Sequence, residues 1–179
     1  MRAILPEHEN PVLRDKAHDI PLTDIKSPHI RALIDDMKKL LAKEEYGVAL
    51  AAPQVGESVR IFIVSGRALA RDSRNAPDEE NKKEEMPPLP DQVYINPEMT
   101  KLSRGRRQKH EGCLSIRGKW GEVPRAEKAT VRAYDEHGLR FTRGASGFLA
   151  HVFQHEMDHL EGILYTDKAK KLYDEPNDR

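Results

Sequence analysis

The stretch from about residue 146 to residue 161 constrains the fold most, because it puts two histidines on the apolar side of a predicted helix. Apolar residues recur there at helical spacing: Phe148, Leu149, Val152, Phe153 and Leu160. His155 and His159 are four residues apart, so both imidazoles project from one face of the helix. Histidines that face a core need a polar partner, and one metal ion would serve both.

Glu156 completes an H-E-x-x-H pattern in this helix. It follows His155 directly, so its side chain is rotated away from a shared metal and suits a role on a water bound there. The alternative is that both histidines are hydrogen-bonded on a solvated polar face. Their apolar neighbours favour the metal site, and Gly162 is typical of the residue that ends such a helix.

The single cysteine, Cys113, has two interpretations. A lone cysteine cannot form an intramolecular disulfide and is commonly a small buried hydrophobe. A catalytic metal, however, commonly has three protein ligands and one open position. Glu161 lies two residues past His159, on the wrong side for the same ion. Cys113 follows Gly112, which leaves room beside a thiolate, and is therefore the candidate third ligand.

The remaining patterns indicate an α+β fold in one domain over residues 1–179, since strands outnumber helices and are not interleaved with them. Ser27-Pro28 begins a predicted amphipathic helix over about 28–45. Strands are predicted at 60–65, 93–95, 131–134, 139–141 and 163–165. Asn96-Pro97 is expected to stop the second of them.

Residues 66–92 differ from the rest of the chain in composition. They contain four prolines and runs of charge such as Lys82-Lys83-Glu84-Glu85, without periodicity. This composition predicts a long, solvated, polar loop inserted into the domain, for which a role as a lid is the functional alternative.

Charge and hydropathy exclude several classes of protein. Lysine plus arginine equals aspartate plus glutamate at 30 each, so there is no electrostatic reason to expect DNA as a partner. No stretch approaches the roughly 18 apolar residues of a membrane span. The acidic residues Glu7, Glu9, Asp15 and Asp19 suit neither a secretory signal nor a transit peptide. We therefore expect a cytoplasmic protein without membrane contact.

Three segments together resemble the peptide deformylase family. They are Gly47-Val48-Ala49-Leu50-Ala51-Ala52-Pro53-Gln54, Glu111-Gly112-Cys113-Leu114-Ser115 and Gln154-His155-Glu156-Met157-Asp158-His159. Their order and spacing match the three signature motifs of that family. The resemblance implies antiparallel or mixed sheets packed around a central helix that carries the H-E-x-x-H motif. It also implies hydrolysis of the N-formyl group from the formyl-methionine of newly made polypeptides, with release of formate.

The resemblance assigns roles to the motif residues. Cys113, His155 and His159 would hold the ion, which lowers the pKa of a bound water. Glu156 would accept the proton of that water and pass it to the departing amine. The Gln54 side-chain amide and the Leu114 backbone N–H would stabilise the oxyanion. Glu111 and Arg125 would brace the metal loop as a charged pair, unless they prove to be an exposed ion pair of little worth.

The resemblance also implies a pocket for the methionine side chain, bordered by Val48, Ala49, Gly112, Phe148, His151 and Val152. Two of these residues depart from the family pattern, because Ala49 replaces a glycine and His151 replaces an apolar residue. His151 precedes His155 by four, so it is a competing metal ligand, although Cys113 already completes the set. Arg117 is a third departure, at a place where proline is common.

Thiolate and imidazole ligands suit several metals, and the resemblance favours Fe²⁺, for which Zn²⁺, Ni²⁺ or Co²⁺ could substitute. The implied partners are N-formyl-Met nascent peptides and the ribosome near its exit tunnel, with a monomer as the family default. Two alternatives stay open. One is a catalytically silent relative that binds formylated peptides, and the other is a metalloprotease built on the same helix.

Overall fold

The computed structural model describes residues 2–74 and 89–174, with side chains placed for 2–70 and 89–174. The helices are α1 (Pro28–Lys43), α2 (Gly66–Arg74), α3 (Gly147–Leu160) and α4 (Tyr165–Lys168). The strands are β1 (Ala49–Ala51), β2 (Ile61–Val64), β3 (Gln92–Leu102), β4 (Arg106–Cys113), β5 (Ile116–Ala126), β6 (Lys128–Tyr134), β7 (Arg140–Ser146) and β8 (Lys171–Asp174). No helix in the described part of the chain is long and apolar enough to cross a membrane.

The larger sheet has five strands in the order β1-β2-β3-β6-β7, and every neighbouring pair is antiparallel. All four residues of β2 are buried, because both faces of the sheet are covered. Phe62 and Val64 belong to the core that includes α3, whereas Ile61 and Ile63 belong to the core that includes α1. This alternation follows from the period of two along a strand.

The predicted first helix is confirmed as α1. The Ser27 hydroxyl accepts a hydrogen bond from the Ile30 N–H, and Pro28 occupies the first helical position. Its buried face, which includes Leu33 and Met37, packs against the larger sheet. The helix ends at Lys43, two residues before the predicted boundary.

Helix α3 carries His155, Glu156 and His159, as the apolar periodicity predicts. It contacts β1, β6 and β7 of the larger sheet and β5 of the smaller one. The helix ends at Leu160, and Gly162 follows in the left-handed region with φ of 72°. Arg60 reinforces this end, since its guanidinium donates to the Leu160 carbonyl at 3.5 Å and to the Glu161 carboxylate at 2.6 Å.

The smaller sheet has three antiparallel strands in the order β4-β5-β8. β4 and β5 form a hairpin whose register shifts between Glu111 and Cys113. This irregularity lies at the end of β4, immediately before the turn that carries Leu114 and Ser115. A third apolar cluster, which includes Leu13, Val123 and Tyr165, covers the inner face of this sheet beside Cys113.

Three details of the predicted secondary structure are wrong. Residues Gly66–Arg74 form α2 instead of the start of a loop, because Ala68 and Leu69 are buried against the core. The rest of the predicted loop, up to residue 88, lies outside the described residues. β3 continues past Asn96-Pro97, since Asn96 adopts φ of 48° at an irregularity in the pairing with β6. Residues 163–165, predicted as a strand, instead lead into α4, which begins at Tyr165.

The N-terminal segment is irregular, as predicted, with three short 3-10 turns at Glu7–Glu9, Pro11–Arg14 and Leu22–Asp24. It contacts the first two signature segments and the residue that follows the third. The Leu5 N–H donates to the Gln54 carbonyl, the Glu7 N–H to the Ser115 carbonyl, and the Ala17 N–H to the Leu160 carbonyl, each at 2.9 Å. The segment therefore ties together parts of the chain that are far apart in sequence.

Candidate metal centre and its cleft

Cys113, at the end of β4, lies beside the two histidines of α3. One ligand atom from each of Cys113, His155 and His159 lies within 4.8 Å of the other two. The Cys113 Sγ and the His159 Nε2 are 3.4 Å apart. Among the described residues these three form the group that could hold a metal ion. The fold therefore brings together the thiolate and both imidazoles of the sequence prediction.

A buried carboxylate fixes the orientation of the first histidine. The Glu111 Oε2 lies 2.7 Å from the His155 Nδ1. Arg125 donates to both oxygens of the same carboxylate: its Nε lies 2.5 Å from Oε1 and its Nη2 lies 3.0 Å from Oε2. Glu111 and Arg125 are 2% and 3% exposed, so the interpretation as an exposed surface pair is wrong. Buried charges in such a bidentate pair hold their geometry well.

The electrostatics of the cluster favour a metal-binding form of the cysteine. Burial raises the pKa of Cys113, but the charge of His159 and hydrogen bonds with His155 and His159 hold that pKa well below its ordinary value. Burial lowers the pKa of His155, and hydrogen bonds with Cys113 and Glu111 outweigh burial and raise it. The lowered pKa of Cys113 favours the thiolate, which is the form that binds metal.

Glu156 lies on the cleft side of the cluster and is almost completely buried. Burial, the largest influence, raises the pKa of its carboxyl group. Its Oε2 is one of two buried side-chain oxygen or nitrogen atoms that have no hydrogen-bond partner among the described residues; the other is the His159 Nδ1. A buried carboxylate oxygen without a protein partner, next to one thiolate and two imidazoles, fits a bound divalent metal with a water ligand.

Gln54 reaches the cluster from a short 3-10 turn, Ala52–Val55, that follows β1. Its Oε1 accepts a hydrogen bond from the Ala51 N–H at 2.8 Å, so its Nε2 points the other way. That nitrogen lies 3.5 Å from the Cys113 Sγ and 3.4 Å from the Ser115 Oγ. The amide is therefore a fixed donor beside the sulfur.

A cleft of about 740 Å³ opens onto the cluster. All the residues expected to border the methionine pocket line it: Val48, Ala49, Gly112, Phe148, His151 and Val152. Leu114, from the turn after β4, also lines it. A Cβ atom added at Gly112 would come no closer than 3.8 Å to its nearest neighbour, so the glycine leaves the floor of the cleft open.

His151 lies outside the candidate metal cluster. Its Nε2 is 3.0 Å from the Glu111 Oε1, on the other oxygen from the one that faces His155. The interpretation of His151 as a competing metal ligand is therefore not supported by its position. It is a third residue on the Glu111 carboxylate, after Arg125 and His155, and also forms part of the cleft wall.

Several residues around the site were not identified from sequence. Asp158 accepts from Arg125 at 2.6 Å and from Lys168 at 2.6 Å, which extends the buried charge network along α3. Glu44 pairs at 2.8 Å with Arg117, the departure from the family pattern noted in the sequence, and both residues line the cleft. Asp158 lies within the third signature segment, which is the one sequence feature that could have drawn attention to it.

Comparison with known proteins agrees with this architecture. The family model described as Polypeptide deformylase matches residues 1–175. A peptide deformylase of Halothermothrix orenii is 39% identical over 169 residues, which cover 93% of this chain and 92% of the relative. A peptide deformylase of Dehalococcoides mccartyi is 40% identical over 163 residues, 91% of this chain and 81% of the relative.

A solved structure gives the same result for the fold. The Met-Ala-Ser-bound class I type b peptide deformylase of Acinetobacter baumannii superposes with a TM-score of 0.75 at 28% identity, covering 93% of this chain and 99% of that one. The match of the family model extends over nearly the whole sequence and includes all three signature segments. This chain therefore belongs to the peptide deformylase family.

Proposed function

We propose that this chain removes the formyl group from the N-terminal formyl-methionine of newly made polypeptides, using a metal held by Cys113, His155 and His159. The observation that carries the proposal is the approach of these three ligand atoms to within 4.8 Å, beside the buried carboxylate of Glu156. The family is one of metal-dependent hydrolases that act on the N-formyl amide. The alternative, a silent peptide-binding relative, is not favoured by these comparisons.

The bound metal would lower the pKa of a water ligand and polarise the formyl carbonyl. We infer that Glu156 accepts the proton of the attacking water and delivers it to the departing amine nitrogen. Burial raises the pKa of Glu156, and so suits it to hold that proton between the two steps. The products are formate and a free amino terminus.

Gln54 and Leu114 would stabilise the charge that develops on the formyl oxygen. The Gln54 amide is held by the Ala51 N–H at 2.8 Å, which supports a fixed donor rather than a rotating one. The Leu114 backbone N–H belongs to the turn that adjoins Cys113. A fixed donor gives more stabilisation in the transition state because it does not reorganise during the reaction.

The methionine side chain would occupy the cleft wall built by Val48, Phe148 and Val152, with Ala49, Gly112 and His151 at its borders. Fe²⁺ is the proposed metal, and Zn²⁺, Ni²⁺ and Co²⁺ are substitutes with the same ligand preferences. We also propose a single catalytic domain organised around α3, with a polar insertion after Arg74. A monomer that acts in the cytoplasm, near the ribosomal exit tunnel, would complete this function.

The proposal is tested by anaerobic formate release from formyl-Met-Ala-Ser, with metal content measured on the same sample. We expect formate release with ferrous ion, and a loss of roughly 100-fold to 10,000-fold in kcat in Glu156→Gln at unchanged metal content. The matched control is Glu45→Gln, at an exposed glutamate on the cleft rim. A folded, metal-loaded protein that binds this peptide without releasing formate would contradict the proposal, and cleavage of internal peptide bonds would point to a protease.

A further inference from the structure

The connection from β3 to β4 concentrates positive charge at one corner of the molecule. Between Glu98 and Glu111 the chain has five lysine or arginine residues and no acidic residue. A sixth cation, at the start of β6, lies beside them because its backbone N–H donates to the Ser103 hydroxyl and its carbonyl accepts from the Ser103 N–H, both at 3.0 Å. We call these six residues the basic corner: Lys101, Arg104, Arg106, Arg107, Lys109 and Lys128. The net charge of zero for the whole chain therefore conceals a strong local excess.

The cations of the basic corner face solvent and have few carboxylate partners. Five of the six are exposed, and Lys109 is half-buried. Within the described residues, Arg107 pairs with Glu127 and the other five have no acidic partner. A lysine on an edge strand such as β4 also prevents sheets from pairing edge to edge, but this does not account for Lys101 and Lys128, which belong to β3 and β6. The excess indicates an additional role in binding a polyanion.

The composition of the basic corner favours a phosphate polymer over a lipid surface or a protein. Residues 103–110 contain no apolar side chain. Segments that bind a membrane surface combine cations with apolar side chains that enter the lipid, and the cores of protein interfaces are depleted in charge. Three of the six cations are arginines, whose planar guanidinium groups pair with phosphate oxygens through two hydrogen bonds. The phosphate backbone of a nucleic acid is therefore the partner that this surface fits.

An exposed ring lies on the same strand as the basic corner. His110 is four residues after Arg106 on β4, so both side chains project from the same face of the strand. The His110 ring is stacked on Trp120 with centroids 4.8 Å apart, and Trp120 is stacked on Tyr173 at 4.1 Å. His110 is thus the end ring of the stack and is exposed, so a planar base can add to it. Cations beside exposed rings on a sheet are typical of surfaces that bind single-stranded nucleic acid.

From these observations we propose that the basic corner and the His110 ring form a binding surface for single-stranded RNA, with the cations on phosphates and one base stacked on His110. β4 begins at Arg106 and ends at Cys113, so at about 3.3 Å per residue the two lie about 23 Å apart. RNA held at the arginine end therefore leaves the metal ligands accessible. The inference goes beyond the proposed function. Only the choice of RNA over DNA rests on that function, since newly made polypeptides emerge from a particle that is rich in RNA.

Fluorescence anisotropy of a fluorescein-labelled oligouridylate tests the surface on the metal-loaded protein. Between about 50 and 200 mM salt, we expect the logarithm of the association constant to fall with the logarithm of salt concentration with a slope of about −3, as for about four neutralised phosphates of a single strand. Arg104→Gln with Arg106→Gln should weaken binding about tenfold at the lower salt concentration and make the slope shallower by about 1.4. The control, Arg31→Gln with Arg140→Gln, removes the same charge from exposed arginines on α1 and β7 and should change neither. Far-UV circular dichroism checks that each variant is folded. No binding at about 50 mM salt, or equal losses in the two double variants, would overturn the proposal.

Two further measurements test the stacked base and the choice of partner. His110→Ala should weaken RNA binding about fivefold or more and keep the salt slope, because it removes a ring and not a phosphate contact. RNA should bind at least as tightly as oligothymidylate, and more tightly than polyglutamate or vesicles of phosphatidylcholine and phosphatidylserine. Unchanged affinity in His110→Ala, or the reverse order for any of these three competitors, would overturn the proposal. None of the binding measurements needs turnover of a formyl peptide, so absence of formate would contradict the proposed function and leave this test intact.

Discussion

The Glu111 carboxylate accepts a hydrogen bond from the His155 Nδ1 at 2.7 Å, and this contact determines which nitrogen of His155 faces the metal cluster. Burial raises the pKa of Glu111, but hydrogen bonds with His151, His155 and Arg125 hold that pKa far below its ordinary range. The carboxylate is therefore ionised and can only accept, so Nδ1 carries the proton and Nε2 is left to bind a metal.

Replacement of Glu111 by glutamine should weaken metal binding. The amide keeps the shape of the side chain but loses the charge that Arg125 neutralises, and its NH₂ group would face a donor. We expect metal affinity to fall by about 10-fold to 100-fold, as is typical for partners of ligating histidines. Competition against a chelator of known affinity measures this loss.

The control for Glu111→Gln is Glu122→Gln, in the partner strand, whose carboxylate accepts from the Tyr173 hydroxyl at 3.3 Å instead of from a ligand. Far-UV circular dichroism checks that both variants are folded. Unchanged metal affinity in a folded Glu111→Gln protein would show that His155 does not depend on this contact.

His151→Leu should separate the two roles of His151, which contacts the Glu111 carboxylate and forms part of the cleft wall. Glu111 would keep its contacts with His155 and Arg125, so the metal affinity should fall much less than in Glu111→Gln. The cleft wall would become more apolar, and one extra buried methylene group is worth about 0.8 kcal/mol. We therefore expect KM for formyl-Met-Ala-Ser to fall about threefold to fourfold. His151→Gln, which stays polar, is the comparison, and a higher KM in His151→Leu would contradict this view of the cleft wall.

Gly162→Ala should destabilise the protein strongly. Gly162 has φ of 72°, and an added Cβ atom would lie 2.6 Å from the Arg14 carbonyl oxygen. Gly118 has a similar φ of 74° but open space around its Cβ position, so Gly118→Ala isolates the conformational cost. We expect about 1 kcal/mol for Gly118→Ala and about 2–4 kcal/mol for Gly162→Ala, measured by urea unfolding. Equal losses would show that the backbone of Arg14 moves away at little cost.

Removal of the metal should lower the melting temperature. An ion that binds the folded chain and not the unfolded one stabilises it by about 2.7 kcal/mol when its free concentration is 100 times the dissociation constant. A shift of several degrees on adding a chelator is therefore expected by calorimetry. The control is Cys113→Ser with reduced metal content, which should melt at the same temperature with and without the chelator.

Local pattern predicts the parts of the site that lie in one element. The spacing of Phe148, Val152, His155 and His159 is enough to predict α3 and the face that carries both histidines, because helical periodicity is a property of a short segment. The predicted N-cap at Ser27 and the predicted strands at 131–134 and 139–141, which are found in β6 and β7, are confirmed for the same reason. These features need no knowledge of the rest of the chain.

Features that depend on distant pairing could not be predicted in this way. From sequence, Cys113 could be either a buried hydrophobe or a metal ligand. Only the folded hairpin of β4 and β5 places it beside the histidines of α3. Asparagine followed by proline is typical of the end of a strand, and the sequence therefore predicts that the strand stops at Asn96. In the structure the Asn96 side chain exchanges two hydrogen bonds with the backbone of Ile20, at 2.7 and 2.8 Å, and β3 continues. The stacked rings of His110 on β4, Trp120 on β5 and Tyr173 on β8 likewise meet only because of the register between these strands.

The N-terminal segment, which is hydrogen-bonded to the first two signature segments and to the residue after the third, depends on parts of the chain that are made later. Residues 5, 7 and 17 are synthesised before their hydrogen-bond partners, Gln54, Ser115 and Leu160. The last of these contacts joins residues 143 positions apart (160 − 17), so it cannot form until residue 160 has been translated. A protein that acts on the amino termini of nascent chains therefore leaves residues 5 to 17 without all of these partners until Leu160 has been made.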